Sequence, residues 1–210
     1  MCHALLRDAT LYDVLLKFDR DLAAEARAAG CPCGGVLHSA RYPRKPRGGP
    51  DDLGPEYGTR LSFCCAVDGC RRRVTPPSVR YLGRRVYLGA VIVLITAMHA
   101  GITAPRATRL REWLGVSVRT LARWRRWWGE TFVASSFWQG VKGRFTPPVE
   151  RRELPAALLE RFAGDQLRDR LLAVLGFLAP ITTRLPGSEL GEGRLIARRR
   201  CGLPRPGAGS

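Results

Sequence analysis

Apolar positions recur at helical spacing in three stretches of this chain, and two segments without that period separate or follow them. In "LYDVLLKFDRDLAAEARAAG", residues 11–30, Leu11, Val14, Leu15, Phe18 and Leu22 fall on one face. This predicts a helix over 10–29, stopped by Gly30. Residues 84–132 are helical again apart from short breaks, and they include the nearly unbroken apolar run "VYLGAVIVLITAMHAGITA" at 86–104. That run approaches the length of a membrane span. It contains His99 and two glycines and has arginines on both sides, so a buried helix is the expected form and no membrane contact is predicted. In 155–179, Leu167, Leu171, Leu172, Leu175 and Leu178 form a stripe on one or two amphipathic helices, expected to pack or to form a homodimer.

Residues 31–80 lack a helical period. The stretch "YPRKPRGGPDDLGPEYGTR" at 42–60 is too rich in Pro and Gly for a helix and reads as a long loop. "GVLHSA" and "TRLSFC" on either side of it read as short strands. "FTPPVERREL" at 145–154 reads as a linker, and from about Thr182 the chain is polar, basic and rich in Gly and Pro, as disordered tails are. The expected fold is mainly α with a small zinc-ribbon-like β module, containing a helix-turn-helix three-helix unit followed by a helical hairpin. Its segments are 1–30, 31–80, 84–140, 150–180 and 182–210.

Charge narrows the partner. The 210 residues carry a formal net charge of +17, an excess that favours polyanions over compactness. Between 71 and 126 there are thirteen arginines and one acidic residue, Glu112. Neutralising phosphates releases counterions from DNA, so charge this one-sided points to duplex DNA. The seven cysteines include five within 31–70, and the opening residues do not resemble a secretory signal. A cytoplasmic, nucleoid-associated protein is expected, where clustered cysteines bind metal more often than they pair. Two cysteine pairs around a loop suit structural zinc: Cys31 and Cys33 first, then Cys70 with Cys65 or Cys64. "CPCGG" leaves one residue between its cysteines where a zinc knuckle has two, and His38 is an alternate ligand.

The motif "RATRLREWLGVSVRTLARWRRWW", residues 106–128, predicts a helix-turn-helix. Gly115 allows the turn, Val116 plugs the angle and Ser117 caps the second helix. Leu110, Trp113, Leu114, Val118, Leu121 and Trp124 are expected to join the two helices. Ser117, Arg119, Thr120, Arg123 and Arg126 are expected to face the major groove, with Arg71, Arg72 and Arg73 on the phosphate backbone.

Through "CPCGG", "LSFCCAVDGCRRR" and "LGVSVRTLARWRRWW" the chain resembles the zinc-ribbon plus helix-turn-helix front end of bacterial insertion-sequence transposases and their accessory proteins. The resemblance covers roughly residues 31–132. It implies that Cys31, Cys33, Cys65 and Cys70 ligate zinc and that a separate transposase subunit is a partner. A transposase of this type adds a nuclease domain with three spaced carboxylates, and the roughly eighty residues after the motif are too few for one. Glu150, Glu153, Glu160, Asp165 and Asp169 read as solvated helix faces, so no catalytic residues are expected. Transcriptional regulation by the same parts, or a truncated recombination enzyme, are the rival readings.

Overall fold

The computed structural model describes residues 2–82, 87–98 and 104–183. Helices dominate, and two small antiparallel sheets sit among them. After a short turn of helix, α1 (Cys2–Leu5), comes α2 (Ala9–Ala28), whose first amide end is closed when Asp8 accepts from the Thr10 N–H at 2.9 Å. Gly30, at φ 71°, ends it in the left-handed conformation that the sequence assigned to a stop. The apolar stripe of α2 divides along its length. Leu11, Tyr12 and Leu15 enter the main core, whereas Ala23 packs into a small second core with Cys31, Leu37, Phe63 and Cys65.

The expected strands form. β1 (Leu37–Ser39) pairs with β4 (Phe63–Cys65), and β4 pairs with β5 (Arg73–Val74). Within the long loop a second ribbon, β2 (Tyr42–Pro43) with β3 (Thr59–Arg60), was not foreseen. Neither was the device that holds this loop down. Arg80 lies fully buried, its Nε 2.7 Å from Asp19 Oδ2. Ser78 Oγ donates to the same carboxylate at 2.6 Å and the Val79 N–H at 2.7 Å. The Arg80 guanidinium also donates to the carbonyls of Tyr57 and Thr59 and sits over the rings of Tyr57 and Tyr81, 5.0 Å from each. A buried charge pair is tolerable only when its remaining donors and lone pairs are met, and here the loop's own carbonyls meet them.

The apolar run becomes α3 (Gly89–Ala97), in which Gly89 to Thr96 are all buried. It is hydrophobic on every side because three later helices, Val118–Arg126, Ala156–Arg161 and Leu167–Leu178, surround it. Each fully buried Val, Leu or Ile here contributes about 1.5–3 kcal/mol. Among the described residues no helix is long and apolar enough to cross a membrane. His99 and nearly all of the tail expected from 182 lie outside the described residues.

α4 (Ala104–Leu114) and α5 (Val118–Arg126) follow, and α5 continues into a wide π-type turn, Trp127–Phe132. Trp128, Phe132 and Trp138 from this turn and from α6 (Ser136–Val141) are core residues. The expected linker is packed: it makes a 3₁₀ turn at Arg151–Glu153 and buries Leu154. α7 (Ala156–Arg161) and α8 (Leu167–Leu178) then close the core. Leu171, Leu175 and Leu178 of the predicted stripe are buried within this chain and Leu167 and Leu172 are half-buried against the same core. The stripe therefore packs against α3 and α7, the first of its two expected uses.

Candidate functional site

Two regions carry the residues that sequence reasoning singled out. In the first, the sulfurs of Cys31, Cys33, Cys65 and Cys70 all lie within 4.8 Å of one another and could hold a metal ion. Cys31 and Cys33 are 3.4 Å apart, Cys33 and Cys65 3.4 Å, and Cys31 and Cys70 3.7 Å. The one-residue spacing of "CPCGG" does not keep its two sulfurs apart from the other pair. The Gly34 N–H donates to the Cys31 carbonyl at 2.8 Å, folding the knuckle tightly. Gly35 has no room for a side chain, since a Cβ there would stand 2.6 Å from Cys65 Sγ. In the second knuckle the N–H groups of Cys70 and Arg71 both donate to the Val67 carbonyl at 2.9 Å, and Arg71 takes the left-handed conformation at φ 43°.

The alternates stand elsewhere. Successive strand residues point to opposite faces, so Cys64 turns away from Cys65, and its sulfur lies 3.7 Å from the Arg71 carbonyl oxygen. His38 is opposite Cys64 in the register, is exposed and is not among the four. Burial pushes the Cys65 thiol up to about 12, while the Gly35 backbone N–H and then the neighbouring sulfurs bring Cys33 down to about 7. Four crowded sulfurs cannot all ionise without a cation among them, a charge that a thiophilic divalent ion would supply.

The second region is α4, the turn and α5. Gly115 adopts φ 63° at the turn, and its carbonyl accepts from Tyr87 Oη at 2.6 Å. Tyr87 meets Trp124 edge to face at 5.0 Å, which ties α5 to the segment before α3. Ser117 caps α5, accepting from the Thr120 N–H at 3.2 Å. Val116, Leu121 and Trp124 are buried, and Leu110, Trp113 and Leu114 are half-buried. Arg119, Arg123 and Arg126 are exposed on the opposite face, with Ser117 exposed at its start and Thr120 half-buried. Val118 departs from expectation. It does not join the helices but is 63% exposed beside Arg119, because the first residue of α5 points outward once Val116 fills the angle.

Of the three arginines after Cys70, two are engaged within the module. Arg71 pairs with Asp68 at 2.6 Å. Arg73 donates to the Ala40 carbonyl at 2.9 Å and to Ser62 Oγ at 3.2 Å, and lies over the Tyr42 ring. Arg72 is exposed and has no ion pair among the described residues. No family model, curated protein or solved structure matches the chain.

Proposed function

We propose that this chain binds duplex DNA sequence-specifically through a helix-turn-helix formed by α4 and α5, with the cysteine cluster as a structural zinc site. The observation that carries the reading is the division of α5: Leu121 and Trp124 buried behind, Arg119, Arg123 and Arg126 exposed in front, and a capped N-terminus leading. A helix built this way enters the major groove N-terminus first, and arginine forks read guanine edges there. Zinc suits the cluster because thiolates at about 2.3 Å from the ion stand about 3.8 Å apart in a tetrahedron, close to the 3.4–3.7 Å of three of the six sulfur pairs, with all six within 4.8 Å. The ion would be held by Cys31, Cys33, Cys65 and Cys70. It would fix the small sheet against α2, a task for which five buried residues are a slender core.

A mobile-element accessory role without nuclease chemistry, alongside a separate transposase subunit, is the physiological form of this proposal that the sequence motifs favour. Selection of bound sites from random duplex DNA at fixed salt tests the function. Recovery of a consensus supports it, and enrichment with no consensus reduces the protein to a general polyanion binder.

A further inference from the structure

Between α2 and the small sheets lies an open cleft of about 460 Å³, which shares Ala23 and Phe63 with the small core but is lined by none of the four clustered cysteines. One face of α2 forms a wall, with Leu16, Arg20, Ala23, Ala24 and Arg27 in successive turns. Leu61 and Phe63, the latter mostly buried in the small core, add apolar lining. Arg20, Arg27 and Arg41 stand around the opening. Arg20 is paired with Glu56, but Arg27 and Arg41 have no carboxylate partner among the described residues. Two unneutralised guanidiniums beside an apolar lining favour a ligand with an anionic end and a flat apolar body. Guanidinium forks match phosphate oxygens in two-pronged fashion. The hydroxyls of Ser39 and Thr59 in the lining suit a polar group between those two ends. The volume is that of a site for one small ligand.

We propose that this cleft binds a phosphorylated nucleotide, with the phosphate on Arg27 and Arg41 and the base over Leu61 and Phe63. The same chemistry is offered by a free mononucleotide and by the phosphorylated end of a DNA strand. The inference does not depend on α5 contacting a duplex.

Calorimetric titration of the full chain with deoxyadenosine monophosphate, deoxyadenosine and inorganic phosphate tests it, at about 0.15 M salt to screen diffuse attraction. The monophosphate is expected to bind, and each fragment to bind at least about tenfold more weakly. The double variant Arg27→Gln/Arg41→Gln removes the charge. Ala24→Leu, at an exposed helical position, narrows the space without removing any charge. Each should weaken binding by about tenfold or more, and Arg152→Ala, exposed and outside the cleft lining, should leave it unchanged. A short single strand with a 5′-phosphate displacing the mononucleotide, where its unphosphorylated twin does not, would identify the strand end as the source. Failure to displace would identify the free nucleotide. Absence of monophosphate binding, inorganic phosphate binding as tightly, or indifference to both cleft variants would overturn the proposal.

Discussion

Cys64 and Cys65 follow one another in β4, and the pleat of the strand sends their sulfurs to opposite faces. Cys65 belongs to the four-sulfur cluster and Cys64 does not. Cys65→Ser is therefore expected to lower bound zinc sharply in metal analysis, as is Cys70→Ser, while Cys64→Ser keeps about one ion per chain. The sequence left these neighbours interchangeable because a strand's facing depends on its partner, and the pairing Leu37 with Cys65 is set across a long loop. Val118 makes a second case. If α5 enters the major groove as proposed, the exposed valine at its head is suited to the thymine C5 methyl, the apolar feature of that groove. Replacing thymine by deoxyuridine across a selected site should weaken wild-type binding at one position by about 0.8 kcal/mol, the contribution of one buried methyl-sized group. In Val118→Ala that position should become indifferent. Equal losses in both proteins would remove Val118 from base reading.

Among the elements, α2, the turn at Gly115 and the cap at Ser117 were legible because period, glycine and hydroxyl are local signals. The burial of Arg80 was not. It counts toward the basic excess of 71–126, yet its charge is spent on Asp19 and the carbonyls of the loop. Charge read along a sequence cannot distinguish an arginine facing solvent from one clamping a loop, since the partner lies 61 positions away. Asp19→Asn should destabilise the fold by about 3–5 kcal/mol, because it leaves a buried guanidinium without its counter-charge. Denaturant unfolding measures that loss. A change under 1 kcal/mol, on the order of an exposed pair, would contradict the burial. The cap on α5 is a smaller term: Ser117→Ala should cost about 1 kcal/mol in the same experiment.

At the scale of the whole molecule, a helical core around α3, which includes the arginine-faced α5, carries one appendage, the sheet that bears the cysteine cluster. α2 links core and sheet, since its first half packs in the main core and its end in the small one. Chelation should then loosen the sheet and the end of α2 while leaving α3 protected, a pattern that hydrogen exchange resolves. The exposed arginines divide by role in the same way. On the proposed reading Arg72, outside α5, should contribute to every duplex alike, and Arg123 to the preferred one. The central claim is that α5 reads sequence, and one titration addresses it most directly. Wild type and Arg123→Ala are each titrated with the selected duplex and a scrambled one at several salt concentrations. The account predicts that Arg123→Ala loses about 1–3 kcal/mol on the selected duplex and little on the scrambled one. Equal weakening on both duplexes would contradict it.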